Sequence, residues 1–248
     1  MYHQLKKSFG ELVVKAGLAE SKISVTARKL SIEEAIGKTE RKDFPLLQGK
    51  ESLMQAEFMG AVGQAFTDMP ANFRGQIKDI LNLEMNRNSD RALFIATLNA
   101  VMRHLGKADR TIHCKNSEPE MCSMKIAQTI TEKFGIEKTI GVVGFQPAII
   151  DNCAKIVTPK NVRVVDLDKD NIGKTIYGVL IQDGFTTTEK LFEECDVVLA
   201  TGSTIVNDTL KTLLALAEKH GKPLYLFGTT IAGAAEILKL KRLCFYGA

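Results

Sequence analysis

The sequence predicts an α/β fold whose parallel sheet is built from the C-terminal half. Three observations predict it. Short apolar runs recur at Thr139–Val143, Val162–Leu167, Val197–Ala200 and Leu224–Phe227. Segments of helical period separate them, and each run ends in glycine, hydroxyl or acidic residues. Continuous apolar strands alternating with amphipathic helices are the pattern of a parallel sheet covered on both faces. Right-handed crossovers then place every strand C-terminus on one edge, where such folds bind ligands.

The N-terminal part alternates less regularly. Tyr2 to Ala16 carries Leu5, Phe9, Leu12 and Val13 at helical spacing and reads as a helix. Ile23 to Leu30 alternates apolar and polar residues and reads as a strand. Gly37 to Lys50, charged and holding Pro45, reads as a loop. Met54, Ala56 and Phe58 alternate, which favours a strand, and Gln64 to Asp68 fits a strand or an extended loop. Gly75 to Leu83 looks like a short helix. Ser89 to Leu105 is a longer one, with Leu93, Ala96 and Ala100 on one face. This is an α+β pattern, not strict alternation. Ser117-Glu118-Pro119-Glu120 fits a capping box opening a helix that runs to Phe134 and stops at Gly135. Helices follow at Pro147–Ile156, Thr188–Glu194, Asp208–His220 and Ala232–Lys239, and a last strand at Leu243–Tyr246. The organisation predicted is an α+β domain over residues 1–108 and a Rossmann-like domain over 109–248.

Composition excludes several classes. The 248 residues are 45% hydrophobic with a net charge of +4, an ordinary globular balance. Lys and Arg are dispersed, so nucleic acid is not an expected partner. No apolar run reaches the roughly 18–20 residues of a membrane span, and the first ten residues lack a signal-peptide core. A cytoplasmic protein with no membrane partner is expected. Five cysteines without regular spacing read as reduced thiols. A homodimer remains open as the assembly.

Candidate site residues cluster at the strand ends. Gly144, Phe145 and Gln146 form the turn after the first strand of the C-terminal half, and Pro147 suits the first turn of the next helix, whose free amides can hold an anion. The turn does not match G-x-G-x-x-G, and packing alone would also explain its glycine. Asp166 ends the second strand, where an acid can accept from a ribose or bind a cation; a solvated acidic turn is the plainer explanation. Thr201, Gly202, Ser203 and Thr204, with Asn207 beyond, and Gly228, Thr229 and Thr230 end two further strands. They combine close backbone approach with hydroxyl hydrogen bonding. Helix capping by Ser203 or Thr204 is the alternative. His113, Cys114, Glu118 and Cys122 form the stretch densest in soft and acidic donors, and they are the metal-ligand candidates. Against that, Glu120 could serve the capping box and Cys122 the core. Cys153, Cys195 and Cys244 read as core residues. No Ser-His-Asp arrangement, glycosidase carboxylate pair or P-loop is apparent.

The order of Gly141-Val142-Val143-Gly144-Phe145, Cys195 to Ser203, Asn207-Asp208-Thr209-Leu210 and Leu226 to Thr230 resembles the putative heavy-metal chelation family. Arg91 to Asn99 looks like the segment preceding its second domain. The resemblance is best over Asp90 to Ala248. It is looser before, where Gly49-Lys50-Glu51 and Gly63 to Asp68 look like a variant N-terminal part. It implies an enolase-N-terminal-like domain followed by a Rossmann-like one, a site between the two, and handling of a metal or metal-chelating cofactor. The expected function is therefore binding of a heavy-metal ion or metal chelate in an interdomain cleft, with a transition-metal ion as cofactor. Two alternatives stand beside it. One is an enzyme using a nucleotide-type cofactor at the strand edge, such as a transferase in chelator synthesis. The other is a regulatory scaffold.

Overall fold

The computed structural model describes residues 1–18 and 25–248. Two sheets organise the chain. The N-terminal sheet is antiparallel, in the order β3-β2-β1-β4: β1 Val25–Lys29, β2 Ser52–Phe58, β3 Ala61–Thr67 and β4 Phe73–Gly75. The ambiguous segment after Glu51 is thus a hairpin, turning at Met59 and Gly60, both with positive φ. Ile23 and Ser24, the start of the strand expected there, lie outside the described residues.

The second sheet has seven strands: β5 Ile140–Val143, β6 Val162–Asp166, β7 Thr175–Ile176, β8 Val179–Asp183, β9 Val197–Thr201, β10 Leu224–Phe227 and β11 Arg242–Leu243. Their order is β11-β10-β9-β5-β6-β8-β7. All pairings are parallel except the β7–β8 hairpin at the edge. Without β7, the sheet has the doubly wound order 3-2-1-4-5-6, whose switch point lies between β5 and β9.

Side chains alternate across this sheet. Val197, Leu199, Tyr225 and Phe227 join a core with Cys122, Ile126 and Ile130 of α5 (Glu118–Phe134) and Ile149, Ile150 and Cys153 of α6 (Pro147–Val157). Val198, Ala200 and Leu226 face the other way, toward Leu191 and Phe192 of α7 (Gly184–Glu194), Leu210 and Leu213 of α8 (Leu210–Lys219) and Ala234 of α9 (Ala232–Leu238). That second core continues without a break into the N-terminal unit, through Met54, Ala56 and Phe58 of β2 and Leu5 and Phe9 of α1 (Tyr2–Lys15).

The joint is α4 (Asn88–His104), buried all round from Arg91 to Met102. One side packs on β2 and β3, another on α9. Asn99 fastens the two units: its amide nitrogen donates to the carbonyls of Gln64, Thr229 and Thr230, and its oxygen accepts from the Gly233 amide at 2.7 Å. Arg91, also buried, donates to the carbonyls of Val206 and Met85.

Several local expectations need correction. The capping box at Ser117 does not form. Glu118 instead accepts from the Lys115 amide at 2.8 Å. Glu120 is drawn away by Arg41 (3.0 Å) and Asn152 (2.9 Å), whose demands are stronger than a cap's. Ser203 and Thr204 cap no helix, because they form a single 3-10 turn that Thr201 caps, and α8 starts only at Leu210. Between Gly37 and Lys50 the loop is tied down by Arg41, which bonds Glu120 and Asp151 as well as the Tyr177 hydroxyl. Two short helices complete the N-terminal unit: α2 (Ile32–Ile36), with a full capping box from Ser31 and Glu34, and α3 (Ile77–Leu81). α2 carried no sequence expectation.

Candidate functional site

The C-terminal ends of β5, β6 and β9 open into a cleft of ≈ 870 Å³ whose opposite wall comes from the N-terminal unit. That volume lies in the range of small-ligand sites. From the sheet side come Gly144, Phe145 and Gln146, then Asp166 and Asp168, then Thr201, Ser203, Thr204 and Asn207. Lys50, Glu51 and Asp68 face them. The switch point thus places two of the predicted turns side by side.

Gly144 has φ +96°, a left-handed conformation that glycine adopts freely, and a Cβ there would lie 2.7 Å from the Thr201 methyl. The turn needs glycine for conformation and for its neighbour. The Asp166 carboxylate organises these loops. It accepts from the Phe145 amide at 2.6 Å, the Asp168 amide at 2.8 Å and the Asn171 side chain at 3.2 Å. Its lone pairs are therefore largely committed to backbone and amide donors.

The third predicted turn behaves differently. Gly228, Thr229 and Thr230 do not reach the cleft. They line a smaller inner chamber of ≈ 100 Å³, together with Gly202, His113, Cys114 and Cys122. Their polar groups are engaged: the Thr229 hydroxyl donates to Arg110 O, and the Thr230 hydroxyl accepts from Phe66 N of β3, across to the N-terminal unit. Pro45, Glu51, Gln146 and Thr201 line both chamber and cleft, so the cavities meet there.

Of the predicted metal ligands, His113, Cys114 and Cys122 line the chamber. Glu118 does not, since its carboxylate turns back to the Lys115 amide. No three of the four bring donor atoms within 4.8 Å of one another; among the described residues that condition is met by Glu189, Glu193 and His220. Burial pushes His113 down to about 4, so the imidazole is neutral at pH 7. Its Nδ1 lies 3.3 Å from Ala35 O, a contact that requires the proton on Nδ1 and leaves Nε2 as an acceptor. Several chamber and cleft residues carried no ligand expectation, among them Glu51, Asp68 and Cys244. Glu51 has no local signal, being one acid in a charged stretch, and Cys244 has the apolar setting of a core residue.

Glu51 is the cleft's most perturbed acid. Burial, then the negative charges of Asp166 and Asp68, push its carboxyl up to about 7. The unfolded chain releases this proton near 4.5, so between pH 4.5 and 7 the folded state holds a proton that the unfolded state has lost. Stability then falls as pH rises through that window. Glu51→Gln should raise stability at pH 8 by on the order of 2 kcal/mol, allowing for solvent in the cleft, and change nothing at pH 4. Urea unfolding of both proteins at the two pH values checks this; equal midpoints at pH 8 would contradict it.

Six carboxylates line the cleft: Glu51, Asp68, Asp166, Asp168, Asp208 and Glu189. Lys50 is its one lysine or arginine among the described residues, and that ammonium is held by Asp168 at 2.7 Å and Asp170 at 3.3 Å. Fold and site together define an α/β protein with an acidic cleft, of the size of small-ligand sites, at the switch point of a parallel sheet.

Residues 128–242 match the model of the family DUF364, described as "Putative heavy-metal chelation". This meets the resemblance read from the sequence. No curated protein matches the chain. Among solved structures, a DUF364-family protein of unknown function from Pyrococcus horikoshii is similar over 92% of this chain and 78% of its own, at 18% identity and a TM-score of 0.53. Another, from Desulfitobacterium hafniense DCB-2, covers 75% of this chain and 72% of its own at 15% identity and a TM-score of 0.47. At such identities the first likeness speaks for the fold alone. Among the described residues no helix is long and apolar enough to cross a membrane.

Proposed function

We propose that the cleft binds a metal cation carried as a small chelate or with its own hydration shell. The observation that supports this most is the charge of the wall: six carboxylates, of which, among the described residues, only Asp168 and Glu189 are neutralised, by Lys50 and Lys219. Such a field attracts cations and repels phosphates. Among the described residues, no three carboxylates of the cleft bring an oxygen each within 4.8 Å of one another, so a bare ion would find too few direct ligands. A hydrated or chelated cation brings its own inner shell and needs only outer acceptors, which Glu51, Asp68 and the hydroxyls of Thr201 and Ser203 supply. The family description of residues 128–242 points the same way.

The test is calorimetric titration of untagged protein with Ni2+ and with hexaamminecobalt(III), a cationic complex whose inner shell is inert. Binding is expected, weakened at least about tenfold by Glu51→Gln or Asp68→Asn, the equivalent of about 1.4 kcal/mol. Neither probe binding, or binding indifferent to both substitutions, rejects the reading.

The nucleotide-cofactor alternative is favoured by one feature, the Gly144 turn leading into the N-terminus of α6 at the switch point. It is opposed by the absence of a free lysine or arginine in the cleft among the described residues and by the commitments of Asp166. A thermal shift with adenosine-containing ligands, abolished by Asp166→Ala, would restore it.

A further inference from the structure

The inner chamber holds chemistry that the cleft does not use. Cys114, Cys122 and Cys244 all line it, and each is less than a tenth exposed. They arrive from three places: the segment before α5, the first turns of α5, and the chain end after β11. Cys122 is the middle one, its thiol near enough to both Cys114 and Cys244 across the small chamber to be influenced by each. Apolar side chains such as Ile36, Phe44, Phe66 and Ile126 make most of the remaining wall. Among the described residues no lysine or arginine lines it.

We propose that this row of thiols is a binding site for a soft, thiophilic cation that prefers two ligands in line, of the mercury(II) kind, held by Cys122 and either neighbour. Thiolate sulfur selects soft metals. Zinc wants a tetrahedral shell of four ligands, and no three donors here lie within 4.8 Å of one another. A linear site needs only a pair. Charge selects further. Two S–H bonds break, two metal–sulfur bonds form and two protons leave to water, with no change of oxidation state. A divalent cation and two thiolates sum to zero, so no net charge is left in an apolar chamber without a cation of its own. The volume of ≈ 100 Å³ admits a bare metal and excludes a bulky chelate. Glu51, Gln146 and Thr201, shared by chamber and cleft, mark the way in. The inference rests on the cleft reading only for this route.

The experiment is a titration of the untagged, fully reduced chain with Hg2+ in excess monothiol, followed by sulfur-to-mercury charge-transfer absorption. One equivalent per chain should survive the competitor. Cys122→Ala should weaken retention by about 100-fold or more, equivalent to at least about 2.7 kcal/mol. Cys114→Ala and Cys244→Ala should each keep the equivalent, because Cys122 still has a neighbour, while the double variant loses it. Cys153→Ala and Cys195→Ala, outside the chamber, should keep it, and Zn2+ should not be retained. If Cys122→Ala fails to fold, the double variant carries the test. Loss of Hg2+ from the wild type to the monothiol, retention in the double variant, or equal retention of Zn2+ overturns the proposal. Asp68→Asn, which lines the cleft and not the chamber, should leave Hg2+ retention intact, which separates this site's failure from the cleft's.

Discussion

Gly63→Ala is expected to cost 4 kcal/mol or more, on the order of the largest single-substitution effects, and to leave the N-terminal unit unable to dock. Gly63 lies in β3 where the strand meets α4. A Cβ there would stand 2.2 Å from Ala100 N, 2.4 Å from Ala96 O and 2.7 Å from the carbonyl carbon of Asn99. All three obstacles are helix backbone, which cannot step aside as a side-chain tip can. Relief requires α4 to retreat from β3, yet α4 also packs on α9 and is buried on every side. Gly10 gives the control. It lies inside α1 with nothing within 4 Å of its would-be Cβ, so Gly10→Ala should stabilise by about 0.5–1 kcal/mol. The same chemical change should therefore move the denaturation midpoint in opposite directions at two sites. A Gly63→Ala protein with a midpoint near that of the wild type would show that β3 and α4 do not approach as described.

How much of this was legible in the sequence depends on range. The strands of the second sheet were legible because each is a short apolar run bounded by turn residues. Val197 to Ala200 and Leu224 to Phe227 each fill both faces of a buried sheet. Met54, Ala56 and Phe58 likewise revealed β2 by period two, since that face meets α4. The β7–β8 hairpin was missed: Thr175-Ile176 is a two-residue strand with one side in solvent, and it leaves no periodic trace. Strand order was beyond local pattern altogether. That order nevertheless decides the site, because it sets the turns after β5 and β9 together and carries the turn after β10 to the chamber.

The same limit applies to chemistry. Asp166 was recognisable as a strand-end acid, but its hydrogen bonds to Phe145, Asp168 and Asn171 show it holding loops together. Glu51 becomes notable only through its burial in the folded cleft and through Asp166 and Asp68, the former more than a hundred residues away. Cys114 and Cys122 stood out by proximity in sequence. Cys244 completes their row only because the chain end returns past β10, where Ala248 and Ile112 exchange backbone hydrogen bonds.

Asn99→Asp is expected to be more damaging at neutral pH than Asn99→Leu, although aspartate is the closer mimic in shape. Asn99 is fully buried, and its amide nitrogen faces three carbonyl oxygens, at 2.9 Å from Gln64, 3.3 Å from Thr229 and 3.0 Å from Thr230. Leucine removes the donor and leaves the Gly233 amide without its acceptor, costing about 2–4 kcal/mol as buried polar groups go unsatisfied. An ionised aspartate keeps the acceptor for Gly233 but sets a buried charge against those carbonyls, a larger penalty. A protonated carboxyl would donate again, so the aspartate variant should recover stability as pH falls, while the leucine variant should not. The consequence reaches the chamber, because Thr229 and Thr230 line it and Asn99 fixes their carbonyls. Denaturant titrations of the two variants at pH 5 and pH 8 separate the cases. An aspartate variant as stable as the wild type at pH 8 would mean that the amide nitrogen does not face those carbonyls, and that something other than Asn99 fastens the two halves of the molecule.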